Sequence, residues 1–349
     1  MQMAEIARDL QGMAANLALR MPISWINILA GPPVTVDGRM LDSRTQWFLQ
    51  LLARSGQKPL AQLGVARARE EFDAFQAIMG GRPAAVSEIV DRIVGTPQGR
   101  IRVRIYRPAG SVARLLPAIL YFHGGGWTIG SLEGYDLPCR FFCARSGCAV
   151  VAVDYRLAPE HRFPAALEDG AAALRAIAVN PRRFGVDIDR LGIAGDSAGA
   201  NLAVVLACET PTPLALQLLL CPVMGPLDQT HSRAALASGW LIEEATMARY
   251  WDFYRVAGLA PDDPRVAPLN GGDLARLPPA IVHVAEFDPL RDEGEAYAAA
   301  LTRVGVRAEL TVHAGLIHHF YGLGGVVPAA QAAFARVCDG LKQAWAAVT

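Results

Sequence analysis

Ser197 stands in Gly195-Asp196-Ser197-Ala198-Gly199, with a glycine two residues away on either side. A hydroxyl is a weak nucleophile until a base takes its proton, and the base in turn needs an acid to orient it. Both partners occur downstream. Glu286, Asp288 and Asp292 follow one apolar run, and His318 and His319 follow the last one. Attack on an acyl carbon would create an oxyanion, which needs inward-facing N–H groups. His123-Gly124-Gly125-Gly126-Trp127 can offer them, because three glycines let the backbone approach an oxygen with no Cβ in the way. Losing one donor of that kind costs on the order of 3 kcal/mol of barrier.

These parts work only if strands deliver them to one edge. The run Leu191–Ala194 reads as a buried strand and Ala198–Cys208 as a helix, so Ser197 sits on a tight strand-to-helix turn. That turn exposes the hydroxyl at a helix N-terminus, where negative charge is favoured. The apolar strand Ala118–Phe122 leads into the triple glycine. Ala280–Ala285 runs into the acids, where Asp288 is preferred because Pro289 ends the loop and opens a helix. Glu286 points to the same side of an extended chain and competes with it, whereas Asp292 fits a helix cap or first turn. Ala308–Val312 precedes the two histidines, and either can be the base. His123, beside the glycines, is read as structural. His283 and His313 are read as core or edge residues, and His161 and His231 lie before the acid or in the span that precedes it.

Further strands are expected at Ile89–Val94, Arg102–Tyr106, Ala149–Val153 and Leu214–Leu220, mostly as continuous apolar runs suited to a parallel sheet covered on both faces. Helices are expected at Glu133–Ser146, Ala165–Asn180, Asp292–Val304 and Pro328–Trp345. The alternation makes residues 81–349 an α/β domain with a mostly parallel sheet of about eight strands. Residues 1–80 read as helical instead, over Glu5–Leu19, Ser43–Arg54 and Pro59–Met79, with no convincing strand. A second helical patch lies at about 226–259, where Met247, Trp251 and Tyr254 share one helix face. The two together are expected to cap the C-terminal edge of the sheet. Trp127, Trp240, Trp251 and Phe287 are candidates to line the pocket or to fill the core.

Lys plus Arg and Asp plus Glu number 33 each, so nothing in the charge balance points to nucleic acid or an anionic membrane. No HExxH or close ligand set suggests a metal, and no cofactor is expected. The six cysteines lack a CxxC pair and read as reduced thiols. No run approaches the roughly 18 apolar residues of a membrane helix. Glu5 and Asp9 at the start are wrong for a secretory signal, so a cytoplasmic location is expected.

From about Leu41 onward the chain resembles the hormone-sensitive-lipase-like family of α/β-hydrolases, the bacterial family IV esterases. The likeness rests on His123-Gly124-Gly125-Gly126, Asp154-Tyr155-Arg156-Leu157-Ala158-Pro159-Glu160, Gly195-Asp196-Ser197-Ala198-Gly199, Asp263-Pro264-Arg265, Asp288-Pro289-Leu290-Arg291-Asp292 and Ile317-His318-His319-Phe320. It implies the α/β-hydrolase fold and a serine carboxylesterase. Ser197 would be its nucleophile, Asp288 its acid and His318 its base. The N–H groups of Gly125, Gly126 and Ala198 would form the oxyanion hole, and Asp196 marks the GDSAG branch. One position departs from the family, which usually has glycine where His319 stands. The substrate expected is a small ester of short to medium acyl chain. The resemblance also suggests a homodimer through the edge strand 308–312. A binding protein of the gibberellin-receptor kind is disfavoured, because such relatives lack the working histidine that His318 supplies here.

Overall fold

The computed structural model describes residues 16–56, 58–111, 115–225, 229–271 and 273–347. Its centre is an eight-stranded sheet: β1 (Glu88–Thr96), β2 (Gly99–Arg107), β3 (Leu116–Phe122), β4 (Ala149–Val153), β5 (Val186–Asp196), β6 (Gln217–Leu220), β7 (Ala280–Phe287) and β8 (Ala308–Ile317). The order across the sheet is β8-β7-β6-β5-β3-β4-β2-β1. Only β2 runs against the rest, antiparallel to both β1 and β4. A chain that alternates strand and helix crosses over between parallel strands, and the helices must then cover both faces.

The strand sequences show this covering. Every residue of β4, Ala-Val-Val-Ala-Val, is buried. In β3, Ile119 and Tyr121 join one core while Ala118, Leu120 and Phe122 join the other. The first core is closed by helices α1 (Ile23–Ala30), α2 (Ser43–Arg54), α3 (Val65–Met79), α4 (Asp136–Ser146) and α9 (Pro328–Ala347). The second is closed by α5 (Ala165–Val179), α6 (Ala198–Glu209) and α8 (Arg291–Arg303), with Trp251 and Tyr254 of α7 (Glu244–Tyr254). Apolar surface buried by both coats contributes about 25 cal/mol per Å2, so the sheet is held from both faces.

All eight expected strands are present, with ends moved by a few residues. β5 reaches back to Val186 because that residue pairs with Leu116, through polar positions that hide the strand in the sequence. β8 runs on to Ile317 through an irregularity between His313 and Ile317, where Gly315 takes φ +69°. The N-terminal reading needs two corrections. α1 was not expected, since Ile-Ser-Trp-Ile-Asn-Ile-Leu-Ala is short and apolar over most of its surface. A ribbon of two-residue strands, Thr35–Val36 and Arg39–Met40, interrupts a region read as free of strand, because two residues are too short to show a period. Of the helix expected over Glu5–Leu19, residues 5–15 lie outside the described residues, as do residues 226–228 of the expected cap insertion. α2 has its expected bounds, and Asp42 caps it by accepting from the N–H of Arg44 and Thr45. Among the described residues no helix is long and apolar enough to cross a membrane.

Candidate active site

Five adjacent strands of the sheet each end one residue before a side chain that could do chemistry. β3 stops before His123, β5 before Ser197, β6 before Cys221, β7 before Asp288 and β8 before His318. Parallel strands in register thus carry these groups to a common edge, where pockets of open α/β sheets form.

Ser197 occupies a left-handed backbone conformation, φ +53° and ψ −120°, which a residue with a Cβ adopts only under constraint. The constraint is visible. The Ser197 N–H donates to the Leu220 carbonyl at 2.8 Å, so the turn is tied to β6. A Cβ on Gly199 would lie 2.1 Å from the Phe122 carbonyl oxygen, and one on Gly195 would lie 2.4 Å from the Gly199 carbonyl. Both glycines are therefore required by close backbone approach. The serine hydroxyl does not cap the helix that follows it, α6.

The candidate acid and the candidate base meet through register. Ile317 of β8 pairs with Phe287 of β7, so the next residue on each strand, His318 and Asp288, are neighbours. His318 Nδ1 lies 2.8 Å from Asp288 Oδ2, and both side chains are buried. The other Asp288 oxygen accepts from the Leu290 N–H at 2.9 Å. The competing carboxylate goes elsewhere. Glu286 accepts from the Gly315 N–H at 2.8 Å and faces Arg39 of the N-terminal ribbon at 3.4 Å. Asp292 sits in the first turn of α8 and accepts from the Ser232 N–H. His319, the second candidate base, turns away: its Nε2 lies 2.5 Å from Gln76 Oε1 on α3. Cys221, read from the sequence only as one of six reduced thiols, lies with Asp288 and His318, its Sγ within 4.8 Å of a carboxylate oxygen of Asp288 and a ring nitrogen of His318. Burial and the Asp288 carboxylate hold its thiol well above the usual range, hence protonated. Its position at the end of β6 was the available signal.

In the glycine loop, Gly125 has φ +111°, and a Cβ there would lie 2.3 Å from the Ile129 carbonyl oxygen. The Gly125 carbonyl accepts from the N–H of Thr128 and of Ile129, and the Gly126 carbonyl from the Thr128 hydroxyl. Among the described residues, no acceptor takes the N–H of Gly125, Gly126 or Ala198. Asp196 fastens this loop to the serine turn. Its buried carboxylate accepts from the Gly124 N–H at 2.9 Å and from the hydroxyls of Tyr121, Tyr135 and Tyr321 at 2.5, 3.0 and 2.6 Å. Burial pushes the Asp196 carboxyl above the usual range, and the tyrosines oppose that shift. His123 donates from Nδ1 to the Gly124 carbonyl at 2.8 Å and stacks on Tyr155. Burial drives its pKa down to about 4, so it is a neutral structural residue.

Two helices lie over this edge. From α7, the Tyr250 ring lies where a Gly126 Cβ would be, 2.2 Å away, and Tyr254 stacks on Trp127 at 4.5 Å. Trp251 is core, and Trp240 stacks on Phe287 beside Asp288. From α3, Arg69 donates to the Thr128 carbonyl and Asp73 accepts from the Ser131 hydroxyl. A cleft of about 360 Å3 opens between Pro59 and Gln62 on one side and Glu243, Thr246 and Arg249 on the other.

A family model described as the α/β hydrolase fold matches residues 119–322. The carboxylic ester hydrolase LipN of Mycobacterium tuberculosis is 36% identical over 335 residues, covering 90% of this chain and 88% of that protein. The ethyl acetate hydrolase of Pseudomonas putida is 34% identical, covering 85% and 96%. Among solved structures, the hyperthermophilic esterase of Pyrobaculum calidifontis superposes with a TM-score of 0.82 at 36% identity, covering 88% of this chain and 99% of that one. The chain belongs to the hormone-sensitive-lipase-like family of α/β-hydrolases. Family motif residues beyond the site hold its scaffold together. Arg156 pairs with the buried Asp169, and Glu160 receives both terminal nitrogens of Arg69 at 3.0 and 2.7 Å, which ties α3 to the sheet domain. Arg291 donates to the Glu286 carbonyl and steadies the loop that bears Asp288.

Proposed function

We propose that this carboxylic ester hydrolase acts on esters of short to medium acyl chain, with Ser197 as nucleophile, His318 as base and Asp288 as the acid that orients it. The observation that carries the reading is the strand register, which puts the buried Asp288–His318 hydrogen bond at the same edge as the strained Ser197 turn. Nδ1 of His318 carries the proton that Asp288 accepts, so Nε2 is left as the basic nitrogen.

In the reaction, His318 takes the Ser197 proton as the hydroxyl oxygen bonds to the ester carbonyl carbon. The carbonyl π electrons move to its oxygen, which the N–H groups of Gly125, Gly126 and Ala198 receive. Collapse expels the alkoxide, which leaves with the proton from His318, and an acyl-serine remains. Water then loses a proton to His318, attacks the acyl carbon, and the acid product departs as Ser197 regains its proton. Asp288 stays ionised throughout. No cofactor enters any step.

Residues 1–80 and about 226–259 form the cap over the domain spanning 81–349. Its support is the packing of α3 and α7 on the glycine loop. We read the protein as cytoplasmic and β8 as its dimer surface. β8 ends the sheet, and Leu310 and Val312 are exposed on it. Hydrolysis of p-nitrophenyl esters from acetate to palmitate, with Ser197→Ala alongside, tests the whole. Turnover should peak at short or middle chains and fall by about 10^4 or more in the variant. A fully active Ser197→Ala overturns the mechanism, and a maximum at palmitate overturns the substrate class.

A further inference from the structure

His319 stands where the family usually has glycine, and the backbone explains why glycine suits the place: φ is +64°, in the left-handed region. A side chain with a Cβ is disfavoured there unless its contacts hold it. They do. The imidazole is buried among Phe72, Phe75, Tyr135 and Tyr321, with Tyr321 nearest at 4.6 Å between ring centres. Its Nε2 reaches Gln76 Oε1 on α3 at 2.5 Å. Gly322 leaves the room for this pair, because a Cβ on it would lie 2.2 Å from His319 Nε2 and 2.7 Å from Gln76 Oε1. The same helix reaches the glycine loop through Arg69, which donates to the Thr128 carbonyl at 2.9 Å. One helix therefore touches both the loop that follows His318 and the loop that offers the N–H groups.

We infer that His319 is a positioning residue: its hydrogen bond to Gln76 fixes the loop that carries His318 to α3, and so sets the base relative to the glycine loop. This rests on the reading of His318 as base. The ring does not touch substrate; it acts through the peptide it shares with His318. Burial and the adjacent His318 drive its pKa down to about 3, so it serves as a neutral hydrogen-bonding group.

The test compares wild type, His319→Gly, Gln76→Leu and the double variant on p-nitrophenyl butyrate, with His318→Ala in parallel. Glycine accepts φ +64° without strain, so the first variant removes the ring and leaves the backbone at ease. Near-UV circular dichroism checks that each variant is folded. Each single variant should lose kcat by roughly ten- to hundredfold, as misplaced catalytic groups do. KM should stay within about threefold, since no substrate contact is removed. The double variant should be no worse than the poorer single by more than about twofold, the signature of one shared interaction. Wild-type kcat in folded His319→Gly, a change confined to KM, or losses that multiply in the double variant each overturn the inference. A fully active His318→Ala overturns the base reading and this inference with it. An inactive His318→Ala beside a fully active His319→Gly overturns this inference alone.

Discussion

The Ser197 turn and helix α3 both hold the site's edge of the sheet, and they do so by different means. At the turn the work is done by backbone. Gly195, Gly199 and Gly125 allow main-chain atoms to approach within distances that no Cβ tolerates, and the Ser197 N–H is tied to β6. Along α3 the work is done by long side chains at helical spacing. Arg69, Asp73 and Gln76 reach the Thr128 carbonyl, the Ser131 hydroxyl and His319 in turn. A backbone device has one solution, so a small change should break it outright. Side-chain ties are graded, so cutting one should weaken the site and leave the fold standing.

The largest effect should come from the pair of acids, which tests whether register alone chooses between them. Asp288→Asn removes the acceptor that fixes the His318 tautomer, and kcat should fall by about 10^4, as it does when a buried triad aspartate becomes an amide. Glu286→Gln keeps a carbonyl oxygen for the Gly315 N–H and should change kcat by less than about fivefold. Steady-state rates on one activated ester decide it. A reversal of the two losses would move the acid to Glu286 and void the register argument.

That choice also marks how far the site was legible in the sequence. The strands before His123, Ser197 and Asp288 are continuous apolar runs, and the glycine spacing announces the turn, so the strands of the platform could be drawn in advance, though not their order across the sheet. What favours Asp288 over Glu286, and His318 over His319, in the proposed triad is the pairing of Ile317 with Phe287. Register is a property of two strands and leaves no trace in either alone. The tie from His319 to Gln76 spans 243 positions and joins a loop to a helix of another segment, so no local pattern could announce it. Tyr250 is the opposite case. It lies three residues after Met247 and four before Tyr254, on the face already recognised, so the helical spacing alone could have announced it.

The next effect contrasts the two devices directly. Gly199→Ala sets a methyl 2.1 Å from the Phe122 carbonyl oxygen and 2.4 Å from that of His123, with backbone on both sides and nothing flexible to yield. It should cost about 3 kcal/mol or more of unfolding free energy, and most of the activity. Arg69→Ala cuts three contacts of α3, to the Thr128 and Ala158 carbonyls and to Glu160, at a half-buried site. It should cost about 1–2 kcal/mol and leave a folded enzyme with reduced kcat. Urea unfolding of both variants gives the comparison. Equal losses would mean that α3 is as rigid a part of the site as the turn.

The smallest effect is the share of any one histidine in the pH dependence of stability, and it links the two regions, since each hides a neutral histidine. Burial drives His123, under the glycine loop, to about 4, and His319, under α3, to about 3. At the far edge of the sheet the touching pair His283 and His313 is held at about 3 and about 4 by burial, by the Arg336 charge and, for His283, by its histidine neighbour. Unfolded, all four take up a proton near pH 6.5. Between that value and about 4 the unfolded chain therefore binds protons that the folded protein refuses. Stability must fall as pH falls through this window, by up to about 1.4 kcal/mol per pH unit for each histidine. Glu293 works the other way. Burial pushes it up to about 7, so the folded protein gains its proton first and stability rises as pH drops toward the ordinary glutamate range. Burial also raises the carboxyls of Asp73, Asp154, Asp196 and Glu209, which act with Glu293; the four histidines, which take up protons from about pH 6.5 downward when unfolded, set the expected net loss between pH 6.5 and 5. Urea midpoints at pH 7, 6 and 5 should decline, and His319→Gly, with one histidine fewer, should decline less steeply. A wild-type midpoint that stays level or rises on acidification would show that the histidines are not held neutral, and an unchanged slope in His319→Gly would remove His319 from the set.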